Sequence, residues 1–218
     1  MLHHSHPYQP FIPKNATKLI VGTLPPPRFS TNKLYSDDVD FCYGSKYGLL
    51  WPILENIFNL ELEYQNTQNA IDQRKYFLQQ NLIGICDMVE SCVRDKIDAS
   101  DLGMKNIKLR NLTHFLNQHP TIKTILFMGG NSKNGPEYFF RKHLKLNGLK
   151  LLLVSKKTPK IHQFQLENRI IKTVSLISPS NAANRSIGAN LLYKNLKKKN
   201  NTYTTFDFRL NQYQKYFL

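Results

Sequence analysis

The sequence predicts an α/β fold, a three-layer α/β/α sandwich with a mostly parallel central sheet. Two observations carry this reading. Short apolar runs bounded by glycine, proline or serine recur along the chain, and helical spacing of apolar residues separates most of them. Strands joined by helical crossovers lie parallel and have both faces covered. The length of 218 residues suits one domain, whose core needs no disulfide or metal to hold it.

The elements follow in order. Residues 1–17 read as an irregular arm, broken by Pro7, Pro10 and Pro13. The α/β domain spans 18–199 and opens with the strand Lys18 to Gly22, which Pro25-Pro26-Pro27 stops. Residues 28–47 lack periodicity and form a long loop, a feature that is usually functional in a compact domain. Leu50, Leu54, Ile57 and Phe58 mark a helix from Leu49 to Phe58, and Ile71, Phe77 and Leu78 mark one from Ala70 to Gln80. Ile83 to Val89 is the next strand, followed by a helix contained within 106–116 and a strand over 124–128. Pro136 sits in the first turn of a further helix, as proline favours. Leu151 to Val154 and Lys172 to Ile177 are strands, and Arg185 to Lys198 is a helix. Residues 200–218 form a C-terminal aromatic segment: an edge strand, a docking arm or a dimer contact.

Composition narrows the function. Thirty Lys and Arg against fifteen Asp and Glu leave a net charge of +15, the electrostatic footprint of a protein that meets a polyanion, above all nucleic acid. The basic residues are spread along the chain, which favours a broad face over a tail. No apolar run approaches a membrane span, and no signal-peptide pattern opens the chain. Cys42, Cys86 and Cys92 are odd in number and lack CxxC spacing. Neither a disulfide framework nor a cysteine metal site is expected, and the location expected is cytoplasmic, with no metal and no cofactor. Neither GxGxxG nor GxxxxGK[ST] occurs, which argues against a dinucleotide or P-loop site.

In parallel sheets ligands bind beyond the carboxyl ends of the strands. The residues there are Gly22, Thr23, Leu24 and Pro25; Asp87; Gly129 to Asn131; and Ser178, Pro179, Ser180 and Asn181. Asp87 either caps the next helix or reads a ligand N–H. Ser180 and Asn181 are either phosphate contacts or helix caps.

Taken together, these segments resemble the uracil-DNA glycosylase superfamily, especially its mismatch-specific and hypoxanthine-excising branches. Ile20-Val21-Gly22-Thr23-Leu24-Pro25-Pro26 is similar to the first motif of that family. Phe41-Cys42-Tyr43 through Leu50-Trp51-Pro52 resembles its aromatic loop and helix start. Gly84 to Val89 resembles the strand whose Asn or Asp faces the base, and Ser178 to Asn184 the second motif. The resemblance covers about residues 18–190 in order.

It implies a DNA glycosylase that flips a damaged or modified base out of double-stranded DNA and hydrolyses its N-glycosidic bond. Gly22, Thr23, Leu24, Pro25, Tyr43, Asp87 and Asn131 would form the base pocket, with Tyr43 stacking on the base and Asp87 accepting from a base N–H. Ser178, Pro179, Ser180, Asn181 and Arg185 would meet DNA. Arg94 and Asp98, in a Cys-x-Arg segment shared with the hypoxanthine branch, would be structural or close to DNA. The usual catalytic positions of the family fall on Leu24, Gly48 and Ser178, which cannot do that chemistry. Asp40, or else Asp38, is then the candidate general base, with backbone carbonyls at Gly22–Leu24 as another way to orient water. A lyase step would need a desolvated lysine, and Lys46 sits in the right loop, though nothing in the sequence shows that it is desolvated. The rival reading is a catalytically silent protein that binds nucleic acid or modified bases on the same fold.

Overall fold

The computed structural model describes residues 2–96 and 100–218. Its strands are β1 (Leu2–Ser5), β2 (Lys18–Gly22), β3 (Ile83–Asp87), β4 (Val89–Arg94), β5 (Met104–Leu109), β6 (Thr124–Phe127), β7 (Leu152–Ser155), β8 (Lys160–Leu166) and β9 (Arg169–Ser175). Its helices are α1 (Pro27–Ser30), α2 (Leu50–Phe58), α3 (Gln68–Gln80), α4 (Leu112–Gln118), α5 (Pro136–Leu146), α6 (Asn184–Ala189), α7 (Leu191–Lys199) and α8 (Thr205–Phe217).

Six strands form one mixed sheet in the order β3-β2-β6-β9-β8-β7. β3, β2, β6 and β9 run parallel, whereas β8 pairs antiparallel with both β9 and β7. Alternation on β2 explains why the sheet has two apolar faces. Leu19 and Val21 enter a cluster with Leu112 and Leu116 of α4 and Phe139, Phe140 and Leu144 of α5. Ile20 enters the other cluster, with Trp51 of α2, Phe77 of α3 and Tyr213 of α8.

The residues dictate the helix ends. The Thr67 hydroxyl accepts from Ala70 N–H to start α3, and Asn59 closes α2 at φ 51°. Thr204 and Asp207 form a capping box on α8, a Thr-x-x-Asp signal readable in the sequence.

Several expectations change. The arm is not irregular throughout: β1 pairs antiparallel with β4, and Phe11 exchanges backbone hydrogen bonds with Ile85 on the edge of β3. The helix expected within 106–116 is α4, which begins only at Leu112. Lys105 to Leu109 belongs to β5, paired with β4, and Asn111 then caps α4 by accepting from His114 N–H. The helix expected over 185–198 is two helices, because Asn190 adopts an extended conformation and caps α7. β8 was not expected at all; its inward residues are His162, Phe164 and Leu166, and a buried histidine disguises the alternation.

Candidate active site

The parallel strands end on one side of the sheet, and the chain leaving them lines a cleft of about 660 Å³. That volume lies within the ~300–1,000 Å³ of ordinary ligand sites. Thr23, Leu24, Pro25 and Pro26 follow β2, Asp87 ends β3, Gly129 follows β6, and Ser178, Pro179 and Ser180 follow β9. The 28–47 loop adds Arg28 and Tyr43, and the segment joining β4 to β5 adds Ser100 and Asp101.

Asp87 is buried, and its Oδ2 lies 2.7 Å from His6 Nε2. The Tyr8 backbone N–H donates to His6 Nδ1 at 3.0 Å. Nδ1 therefore has no proton, and the neutral ring carries its hydrogen on Nε2, donated to Asp87. This leaves Asp87 Oδ1 beside Gly22. A Cβ at Gly22 would stand 2.3 Å from that oxygen and 1.9 Å from the Tyr43 hydroxyl. Glycine is required here because two pocket side chains rest on its Cα. Tyr43 itself sits at φ 59°, and burial, then Asp87, push its phenol well above the ordinary value.

β1 supplies a second histidine. His4 Nδ1 accepts from Arg94 Nε at 2.9 Å, and Arg94 Nη1 donates to the Ser100 carbonyl at 2.6 Å. Burial, then the Arg94 charge, lower the His4 pKa to about 4. Arg94 is buried, 1% exposed, behind the Ser100–Asp101 stretch of the lining. Asp98 lies outside the described residues.

Asp101 is the carboxylate that sequence reasoning missed. Its backbone carbonyl accepts from Asn134 Nδ2 at 2.8 Å, and its side chain lies near Thr23, with which it lines the cleft. Burial raises its pKa to about 6; Arg94 and Thr23 pull it down, and Asp87 pushes it further up. A Cys-x-Arg strand followed by several acids was the only signal for it.

The expected general bases are elsewhere. Asp38 is fully buried and accepts from Arg28 Nε at 2.6 Å, Arg28 Nη2 at 2.9 Å and the N–H groups of Tyr35 and Lys46. Burial raises its pKa, but these donors outweigh it and the net shift is downward. Asp38 organises the loop. Asp40 is exposed, accepts from the Tyr8 hydroxyl at 2.7 Å and does not line the cleft. Lys46 pairs with Asp37 at 3.3 Å and keeps its side chain 29% exposed, so it is no desolvated amine. The carbonyls of Gly22 and Thr23 accept from the N–H groups of Met88 and Val89.

The Ser178–Ser180 turn is braced from α8. Buried Arg209 donates to the carbonyls of Ser178 at 2.9 Å and Ser180 at 2.7 Å, and the Tyr213 hydroxyl donates to Ile177 O at 2.7 Å. Gln212 Oε1 accepts from Ile177 N–H. Within the C-terminal segment, Thr205–Phe217 is thus a docked helix. Ser180 caps the short turn at Asn181.

The cleft brings together Thr23, Leu24, Pro25, Tyr43, Asp87, Ser178, Pro179 and Ser180, with Gly22 beneath Tyr43. It does not bring in Asn131, whose neighbour Ser132 lines it instead. Asn181 and Arg185 are exposed and outside its lining. Among the described residues no helix is long and apolar enough to cross a membrane.

No family model and no curated protein matches the chain. In fold it is similar to the solution NMR structure from Methanosarcina acetivorans described as a "putative Uracil DNA glycosylase". That match has a TM-score of 0.53 at 16% identity, over 96% of this chain and 99% of the other.

Proposed function

We propose that the protein is a DNA glycosylase, which flips a damaged or modified base out of double-stranded DNA and hydrolyses its N-glycosidic bond. One observation carries the reading: Asp87 is held by His6 at the strand ends, beside Tyr43, in a cleft of nucleotide-sized volume. An extruded base stacked on Tyr43 would gain ~1–3 kcal/mol. Asp87 selects a base edge that offers an N–H, because its free oxygen can only accept. The net charge of +15 supplies the sequence-independent attraction to phosphate, and Ser178–Ser180, Asn181 and Arg185, which follow β9, are the residues proposed to meet it. The similarity in fold supports assignment to the superfamily, with the mismatch-specific and hypoxanthine-type branches as the nearest in motif. The two helix-bearing apolar faces support the three-layer arrangement.

A silent binding protein is the second reading. It is favoured by Leu24 and Gly48, which line the cleft where the family usually carries catalytic side chains.

The test is excision on labelled duplexes carrying uracil, hypoxanthine, xanthine, thymine mismatches and modified cytosines, with abasic sites revealed by alkali. Removal of one base by wild type, lost in Asp87→Ala, is expected. Salt-sensitive binding without abasic product from any duplex would replace the enzyme with the binding protein.

A further inference from the structure

We propose that Asp101 is the general base that activates the attacking water, delivered from the β4–β5 connection to the turn after β2. The inference rests on the glycosylase reading. Among the described residues, the titratable side chains lining the cleft are Arg28, Tyr43, Tyr47, Asp87 and Asp101. Arg28 is committed to Asp38 in a two-point ion pair. Tyr43 is held as a neutral phenol, and Tyr47 lies at the surface beside Lys46. Asp87 has one oxygen on His6 and the other beside Tyr43 and Gly22, which suits reading a base and leaves it poorly placed to take a proton from water.

Asp101 remains, and its geometry fits the task. Asp101 lines the cleft together with Thr23, the first residue after β2 and the immediate neighbour of Leu24. The carboxylate therefore reaches the turn whose own side chains and engaged carbonyls offer no base. Its backbone is fixed, since the Asp101 carbonyl accepts both from Asn134 Nδ2 and from Met104 N–H. The charged and titratable groups around it are Arg94 and Cys92 from β4 and Asp87 from β3, with His4 behind Arg94 and His6 behind Asp87. Their balance, dominated by burial, leaves an acid that titrates near the pH at which it would work.

The step balances as follows. A water proton passes to Asp101 as the water oxygen bonds to C1′ of the flipped nucleotide. The C1′–N bond breaks and its electron pair leaves with the base. The proton on Asp101 then neutralises the departed base, directly or through solvent, and an abasic site with a 1′-hydroxyl remains.

The experiment is single-turnover excision from pH 4.5 to 8 with wild type, Asp101→Asn and Asp101→Glu, alongside affinity for a duplex carrying a stable abasic-site analogue. Wild type should gain rate through about pH 6 and then level. Asp101→Asn should lose ~100-fold or more and the inflection with it, while holding the abasic duplex within about twofold. Asp101→Glu should retain an inflection at reduced rate. Wild-type rate and pH profile in Asp101→Asn would overturn the assignment and leave the glycosylase reading standing. Loss of abasic-duplex affinity in both variants would also overturn it, by making the residue structural. No excision of any base by wild type would overturn both readings together.

Discussion

His6 and Asp87, 81 positions apart, meet at 2.7 Å through a histidine tautomer that the Tyr8 backbone N–H dictates. The pair joins the segment after β1 to the end of β3 and aims one carboxylate oxygen at the cleft. Replacing His6 with alanine leaves Asp87 Oδ2 without its donor, at a cost of ~1–3 kcal/mol. His6→Ala should therefore lower excision roughly ten- to a hundredfold, and His6→Gln, which keeps an N–H at similar reach, should recover most of it. Equal loss in both variants, read by single-turnover kinetics, would show that the imidazole does more than orient Asp87.

Gly22→Ala should damage the site without unfolding the chain. The new methyl would stand 1.9 Å from the Tyr43 hydroxyl, so a ring anchored at left-handed backbone must move. Overpacking of this kind costs ~1–3 kcal/mol. A melting temperature lowered by a few degrees with excision largely abolished is the expected pair of results. Unchanged excision would mean that Tyr43 and Asp87 need not hold these positions.

Arg209→Met should loosen the Ser178–Ser180 turn. The guanidinium is fully buried and satisfies three carbonyls, those of Ser178, Ser180 and Thr205. Losing charged hydrogen bonds of this type costs about 3 kcal/mol. Amide exchange at residues 177–181 should accelerate more than exchange in β6. A uniform change across the domain would instead mark Arg209 as a general core residue.

Stability should fall on mild acidification. The folded pKa of His4 is about 4, below the 6.5 of the free side chain, so the unfolded chain binds more protons between those values. The contribution is whole above pH 6.5 and is lost as pH falls toward 4, at most ~3 kcal/mol. Burial acts in the same direction on His143 and His162. Asp101 opposes them: its raised pKa adds stability as pH falls through about 6. Urea unfolding of His4→Gln, which retains an acceptor for Arg94, should show a shallower pH dependence than wild type. Parallel curves would contradict the assignment to His4.

Much of the frame was legible in the sequence, because its signals are local. The apolar run Leu19-Ile20-Val21 reads as a buried strand wherever it lies, and Leu50, Ile53 and Leu54 have a helix face whatever they pack on. The rule that parallel strands present ligands at their carboxyl ends then located Thr23–Pro25, Asp87 and Ser178–Ser180 before any coordinates. Where apolar spacing suits two periods, only the tertiary structure fixes the bounds. Ile107, Leu109, Leu112 and Leu116 could mark one helix, but pairing with β4 makes the first two a strand and Asn111 starts the helix afresh.

The chemistry of the site was less legible, since its partners are distant along the chain. Asp38 and Asp40 are near neighbours of identical type, yet one is buried under Arg28 and the other is solvated. Asp101 had no local pattern, and its pKa is raised because the β4–β5 connection buries it at the cleft. His4 and His6 looked like part of a proline-broken arm; pairing of β1 with β4 turns them toward Arg94 and Asp87. The sequence by itself determined the alternation of strand and helix, the excess of positive charge and the strand ends where a ligand would sit. Only the tertiary structure decided which ionisable groups are buried, which are paired and which are left to act, because burial and pairing belong to neighbours in space.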